Sequence, residues 1–123
     1  MIDSQETQTK ITAQECKGSL AALEDCLYVI GGKWKLKIII ALKEEGNKRF
    51  NELQRTVNGI SARVLSHELK ELELNGFVKR NVYAQTPVIV EYELTAYSDT
   101  LDEVLRTLVE WGNRHRDKIR ELR

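Results

Sequence analysis

Four residues with charged or hydrogen-bonding side chains recur at three- and four-residue spacings near the middle of the chain: Arg63, Ser66, His67 and Lys70. On a helix these spacings bring all four side chains to one face. Such a face can bond base edges and phosphates, and the major groove of DNA admits one α-helix. The pattern therefore favours a DNA-reading helix, although a polar helix face is more commonly only solvated.

The helix that positions these side chains is predicted to run from Ser61 towards Asn75-Gly76. Ser61 stands in the N-cap position, where its hydroxyl can accept a bond from a free backbone N–H. The same helix N-terminus favours anions, so Ser61 is also a candidate phosphate contact. Three leucines occupy the face opposite Arg63 and are expected to pack into the core: Leu65, Leu69 and Leu72.

A shorter helix is predicted just before it, over residues 50–57, with Phe50, Leu53 and Val57 on one side. Asn58-Gly59 ends this helix, because both residues tolerate a positive φ. Two helices joined by a glycine-containing turn, with a polar outer face on the second, indicate a helix-turn-helix.

The pattern changes from helical to extended after Gly76. Residues 77–83 and 88–94 are rich in β-branched and aromatic residues, and the second run alternates as a half-buried strand does. A hairpin directly after a helix-turn-helix is a wing, here predicted to be two-stranded. Its tip, Gln85 and Thr86, is expected near the DNA backbone or minor groove.

Amphipathic helices are predicted on both sides of this unit. Ser19 can cap a helix ending at Ile30, while Thr12-x-x-Glu15 matches a capping box, a common pattern that carries little weight. A helix over residues 33–45 is apolar nearly all round and belongs in the middle of the domain. The first helix and a C-terminal helix from about Ala96 carry apolar stripes that we expect to pair across a two-fold axis: Leu20, Leu23, Leu27, Leu101, Val104, Leu105, Leu108 and Trp111.

These elements predict a mainly α (α+β) fold, a winged helix-turn-helix with N- and C-terminal dimerisation helices. Residues 1–15 are expected to form a flexible tail, 16–114 the DNA-binding domain and 115–123 the end of the C-terminal helix. Nothing in the sequence resembles a membrane span or a signal peptide, so a cytoplasmic location is expected.

The formal net charge of the 123 residues is zero, but the charge is unevenly distributed. Residues 1–32 carry two Lys/Arg against five Asp/Glu, residues 33–96 eleven against eight, and residues 97–123 six of each. The positive excess thus lies in the segment that contains the helix pair. Basic residues beside that pair are candidate DNA-backbone clamps: Lys33, Lys35, Lys48 and Arg49, with Lys79 and Arg80 on the wing as weaker candidates.

Enzymatic chemistry is not indicated, because the chain lacks a phosphate-binding glycine loop, a carboxylate pair and a nucleophile–base motif. The two histidines and two cysteines do not have metal-ligand spacing, and no cofactor is expected. A protein-interaction winged helix is the alternative from another class. It would call for apolar anchors on the Arg63 face, and the four residues named there do not supply them.

A collinear series over about residues 20–112 resembles the HxlR-type winged helix-turn-helix family of bacterial transcriptional regulators, relatives of the MarR type. The resemblance implies a homodimer that binds double-stranded DNA, with a recognition helix in the major groove and a wing beside it. The residues that carry it are Ile30-Gly31-Gly32-Lys33-Trp34, Arg49-Phe50-x-Glu52-Leu53, Gly59-Ile60-Ser61, Leu65, Leu69-Lys70-x-Leu72-Glu73, Gly76-Phe77-Val78, Tyr83, Pro87-x-x-Val90-Glu91-Tyr92-x-Leu94-Thr95, Leu101, Leu108 and Trp111-Gly112.

The sequence departs from that family at a site that bears on regulation. Many members have a Cys-Pro pair in the first helix, and some sense thiol-reactive compounds there, whereas this chain has Ala21-Ala22. Redox sensing through that site is therefore not implied. Cys26 is expected to be a small buried hydrophobe, and a redox role is the alternative, which would require an exposed thiol with a low pKa. A small-molecule effector between the end helices and the winged domain stays open, since no residue indicates one.

Overall fold

The computed structural model describes residues 10–123, which are mainly helical with one small sheet. The winged helix-turn-helix predicted from the sequence is confirmed. In chain order the elements are α1 (Ala13–Ile30), α2 (Lys35–Glu45), β1 (Lys48–Arg49), α3 (Phe50–Thr56), α4 (Ala62–Leu74), β2 (Val78–Tyr83), β3 (Ile89–Leu94), a 3-10 helix (Ala96–Leu101) and α5 (Asp102–Leu122).

The sheet is three-stranded and antiparallel, in the order β1-β3-β2, so the predicted two-stranded wing had one strand too few. The hairpin itself is confirmed, with a register from Val78 opposite Leu94 to Tyr83 opposite Ile89. The additional strand pairs Lys48 with Tyr92 and Arg49 with Glu91. Two adjacent charged residues show no alternation of apolar and polar side chains, so the sequence does not indicate a strand here. The strand forms because the free edge of β3 pairs with it.

The hydrophobic core lies between α2, α3, α4 and the start of the sheet. Leu53 of α3 and Leu65 and Leu72 of α4 have no exposed surface, and α2 contributes Ile38 and Ile39, also fully buried. Each such side chain stabilises the fold by about 1.5–3 kcal/mol through burial alone. The central position predicted for the second helix is therefore confirmed.

α1 begins earlier than the sequence suggested. The Thr12 hydroxyl accepts a hydrogen bond from the Glu15 N–H over 3.0 Å, so Thr12 is the N-cap and Ser19 lies inside the helix. Residues 13–15, assigned above to the tail, are consequently the first turn of α1. The rest of the predicted tail, residues 1–9, lies outside the described residues.

The C-terminal segment is helical from Ala96 as expected, but its first six residues form a 3-10 helix. Ser98 is completely buried there, and its hydroxyl donates to the Thr95 carbonyl over 2.6 Å. The start of α5 is held to α2 by Lys43, whose Nζ lies 2.7 Å from a carboxylate oxygen of Asp102. α5 therefore continues the packing of the winged domain before it runs into solvent.

Candidate nucleic-acid interface

The two faces of α4 differ as the sequence predicts. Leu65, Leu69 and Leu72 are at most 2% exposed and pack against the rest of the core. The other face is open to solvent along its whole length. Its exposed polar side chains are Arg63, Ser66, His67 and Lys70.

The start of α4 is fixed by Ser61. Its backbone is extended, with φ −80° and ψ 158°, and its hydroxyl accepts the Val64 N–H over 3.2 Å. Ser61 is thus the N-cap that the sequence predicts. Ser61, Ala62 and Arg63 are all exposed, so this positively polarised helix end is accessible to an anion.

The turn between α3 and α4 depends on Gly59. Its φ of +88° lies in the left-handed region that side-chain-bearing residues avoid. A Cβ there would meet only Trp34 at an ordinary contact distance of 3.9 Å. Glycine is therefore required by the backbone of the turn and not by crowding.

Lys33 is exposed just before α2 and stays available as a backbone clamp. Its Nζ lies 4.8 Å from the centre of the Trp34 ring, and the Nζ of Lys37 lies 5.1 Å from the same centre. Lys37 was not among the candidates named from the sequence. Its three-residue spacing from Trp34 on a helix was the signal that could have indicated it.

Lys35, the neighbouring candidate, is not available to DNA. Its side chain turns inward, the residue is only 7% exposed, and Nζ lies 2.6 Å from a Glu68 carboxylate oxygen and 3.5 Å from one of Glu71. Burial alone lowers the pKa of Lys35, but its hydrogen bond to Glu68 and the charges of Glu68 and Glu71 outweigh burial and raise that pKa. The prediction that Lys35 contacts DNA is therefore wrong.

Lys48 is likewise a structural lysine. It is 8% exposed, and its Nζ lies 2.6 Å from a Glu45 carboxylate oxygen. Pairing of β1 with β3 holds the backbone of Lys48 in the sheet, and its side chain is only 10% exposed. Its assignment as a backbone clamp is wrong for the same reason as that of Lys35.

Arg49, by contrast, is exposed. Its backbone N–H donates to the Glu52 carboxylate over 2.8 Å, a bond that caps α3 and lowers the pKa of Glu52. The side chain of Arg49 lines an open polar groove of about 450 Å³ together with Asn51 and Arg55. Arg55 lies in the last turn of the helix that Arg49 caps, and it joins the candidate surface through this groove.

The wing and α4 enclose a second polar cleft. Lys70 and Ser66 of α4 line it from one side, and Arg80 and Tyr92 of the wing from the other, around a volume of about 370 Å³. The wing tip residues Gln85 and Thr86 are exposed, as expected of a connection between strands. Arg80 thus shares a surface with Lys70.

The apolar stripes of the end helices are only partly as predicted. Most of their members are exposed: Leu20, Leu23, Leu27, Val104, Leu108 and Trp111. Leu101 and Leu105 are instead 9% and 8% exposed, because they pack in the core of their own chain. Assigning those two residues to a dimer interface was therefore wrong.

Cys26 is exposed and not buried, which corrects the expectation of a small buried hydrophobe. It lines the rim of an apolar cavity of about 280 Å³ between α1 and the winged domain, beside Tyr97 and Phe77. Cys16 is also exposed, but it lies ten residues away on the same helix. A helix separates such residues by about 15 Å, so the two cannot form a disulfide within one subunit.

Two further properties concern the described part of the chain as a whole. Among residues 10–123, histidine, cysteine and carboxylate side chains form no group of three that could hold a metal ion. Over the same residues, no helix combines the length and the apolar character needed to cross a membrane.

Residues 29–120 match the model of the HxlR-like helix-turn-helix family. An uncharacterized HTH-type transcriptional regulator of Halalkalibacterium halodurans is 46% identical over 103 residues, which cover 80% of this chain and 91% of that protein. The regulator YybR of Bacillus subtilis, also an uncharacterized HTH-type protein, is 44% identical over 101 residues, covering 82% of this chain and 80% of YybR.

Solved structures agree with this relationship. The redox regulator HypR in its reduced form superposes with a TM-score of 0.74 at 42% identity, covering 81% of this chain and 98% of HypR. A transcriptional regulator of the MarR family from Enterococcus faecalis gives a TM-score of 0.71 at 34% identity, covering 92% of this chain and 96% of that one.

Proposed function

Because the chain belongs to the HxlR-like helix-turn-helix family of transcriptional regulators, which are not enzymes, we propose that it binds palindromic operator DNA as a homodimer. In each subunit α4 enters the major groove and the β2–β3 wing lies beside it. The observation that carries the proposal is the division of α4, in which Leu65, Leu69 and Leu72 are buried while the polar face stays open.

The exposed residues of α4 have different roles in this proposal. Arg63 stands on the first turn, where a recognition helix reaches base edges, and its guanidinium suits bidentate recognition of guanine. Ser66 and His67 supply further hydrogen bonds to the groove. Ser61 and Lys70 hold phosphates, Ser61 at the helix N-terminus and Lys70 across the cleft from Arg80.

Residues outside α4 clamp the DNA backbone. Arg49 and Lys33 keep this role because both are exposed, and Gln85 and Thr86 extend the contact at the wing tip. Lys37 joins them because it lies over the same Trp34 ring as Lys33, and Arg55 joins them because it lines the groove beside Arg49. These contacts are independent of base identity, so they set affinity and position, whereas Arg63 sets specificity.

The homodimer is supported by the apolar surface of α1 and α5. Leu20, Leu23 and Leu27 are 53–60% exposed, and Ile30 is the one buried residue of the 18 in α1. Isolated helices are marginal in water, so α1 needs an apolar partner. A second copy supplies one through α1 and α5, and its two-fold symmetry requires a palindromic operator.

The test is binding of the purified protein to DNA fragments that tile the region upstream of its gene, measured by fluorescence anisotropy. Arg63→Ala should weaken binding to the preferred fragment by about 1–3 kcal/mol and relax selection at one position of each half-site. Arg120→Ala is the matched control, because it removes the same charge from the exposed end of α5.

Equal losses in the two arginine variants would contradict base reading by Arg63, since they would reflect net charge alone. Absence of binding by the unmodified protein to every fragment at low salt would contradict DNA binding altogether. In that case a protein-interaction winged helix becomes the better explanation. One observation favours it: Leu74, at the end of α4, is 83% exposed and could anchor a partner.

A further inference from the structure

Lys35 occupies a position that is electrostatically unfavourable for a lysine. It is the first residue of α2, where the helix dipole repels cations, and it is nearly buried, which penalises its charge. A lysine is stable there only if carboxylates nearby offset both costs. The carboxylates that do so belong to α4, the proposed recognition helix.

Glu68 and Glu71 lie three residues apart on one flank of α4, between its buried leucines and its exposed face. The Nζ of Lys35 lies 2.6 Å from Glu68 and 3.5 Å from Glu71. The same Oε1 of Glu71 lies 3.8 Å from the Nε2 of His67, which faces solvent. The negative charge of Glu68 and Glu71 therefore lies close to the surface that would meet DNA.

Without Lys35, α4 has the wrong charge for its proposed ligand. Residues 61–75 carry two basic side chains, Arg63 and Lys70, against three carboxylates, Glu68, Glu71 and Glu73. A helix in the major groove lies between two phosphate backbones, which repel such carboxylates. Lys35 supplies the missing positive charge from the neighbouring helix.

We infer that Lys35 is a positioning residue for DNA binding that never touches DNA, because it neutralises Glu68 and Glu71 and holds α4 against α2. The inference rests on the proposed function, since it concerns how α4 can approach phosphates. It also explains why a lysine that resembles a DNA contact in the sequence points into the protein.

The experiment uses the full chain and a mixed-sequence DNA duplex of about 30 base pairs, because non-specific binding reports mainly electrostatics. Lys35→Met should bind about tenfold more weakly than the unmodified protein at about 50 mM salt. The deficit should shrink at about 200 mM, because salt screens the repulsion between the uncompensated carboxylates and the DNA phosphates.

Two further variants separate charge from structure. Glu68→Gln with Glu71→Gln should bind more tightly than the unmodified protein at low salt, whereas a purely structural ion pair would predict weaker or unchanged binding. Adding Lys35→Met to that pair leaves three neutral side chains of similar size and no uncompensated buried charge. This triple variant should bind at least as tightly as the unmodified protein.

Lys118→Met is the control, because it removes one exposed charge from the far part of α5. It should bind within about twofold of the unmodified protein, and circular dichroism should show each variant folded. If Lys35→Met does not fold, the double and triple glutamine variants still decide the question.

Three results would overturn the inference. They are a Lys35→Met affinity equal to that of the unmodified protein, a deficit that neither salt nor the glutamine substitutions remove, and glutamine variants that bind no more tightly. In all three the unmodified protein binds DNA, so the proposed function survives. If the unmodified protein does not bind the duplex even at low salt, the proposed function fails and this inference fails with it.

Discussion

α4 and α1 have similar N-caps and similar leucine spacing, but their leucines differ in exposure. Each has a hydroxyl N-cap, Ser61 or Thr12, which accepts a backbone N–H over 3.2 Å and 3.0 Å. Each also carries three leucines at helical spacing. Leu65, Leu69 and Leu72 of α4 are at most 2% exposed, whereas Leu20, Leu23 and Leu27 of α1 are 53–60% exposed.

The difference shows that a stripe of leucines indicates that a helix face will be covered, but does not indicate which part of the protein, or which partner, covers it. The stripe of α4 is covered by α2, α3 and the sheet of its own chain, so its polar face is the one free for a ligand. The stripe of α1 is uncovered in a single subunit, so in α1 the apolar face is the one free for a partner. The contrast predicts that substitutions in the two helices damage different equilibria.

The largest expected effect is on folding stability, through the buried face of α4. Leu65→Ala should lower the free energy of unfolding by about 2–5 kcal/mol, because it leaves a cavity beneath α4. Urea denaturation followed by circular dichroism measures this loss, and the loss should not vary with protein concentration. Leu74→Ala on the exposed side of the same helix is the control and should change stability by less than about 0.5 kcal/mol. Similar losses in both variants would mean that α4 is not divided as described.

The next effect concerns association. Leu23→Glu should weaken self-association by about 2–4 kcal/mol, because it places a charge in the apolar stripe of α1. Light scattering after size-exclusion chromatography should show the dimer shift to monomer while the circular dichroism spectrum keeps its helical form. Ala21→Glu makes the same kind of change on the solvent side of α1 and should leave the dimer intact. A monomer before any substitution would remove the homodimer from the proposal.

The smallest effect compares the two helix caps. Ser61→Ala should lower the free energy of unfolding by about 1 kcal/mol, since α4 forms part of the cooperative core. Thr12→Ala removes an equivalent bond, but in a monomeric Leu23→Glu background it should only fray α1 and leave global unfolding nearly unchanged. Hydrogen exchange of the α1 amides would report the local loss. Equal global losses would show that α1 is stabilised by its own domain.

Much of this fold could be predicted because its signals are local. The N-cap at Ser61, the stop at Gly59 and the two strands of the wing each depend on a few adjacent residues. The start of α1 is equally local, since its N-cap is Thr12, seven residues before the predicted cap at Ser19. Periodicity likewise assigned both faces of α4 correctly.

The errors share a different cause, which is that a partner lay far away in the sequence. Lys35 is separated by 33 residues from Glu68, and nothing near Lys35 indicates that carboxylate. β1 depends on the free edge of β3, and the burial of Leu101 and Leu105 depends on elements that precede them by many residues. In each case the residues nearby in the sequence gave no indication of the contact, because the contacting segment lies far away in the chain.

The sequence by itself determined which residues form helices, turns and the wing, and which face of each helix is apolar, because these follow from local backbone preferences and periodicity. Only the tertiary structure decided which of those faces are already covered and which charges are already paired. Burial and ion pairing depend on distances between segments, and packing alone sets those distances. For this reason Arg63 remained on the candidate DNA surface while Lys35, with the same formal charge, became its internal support.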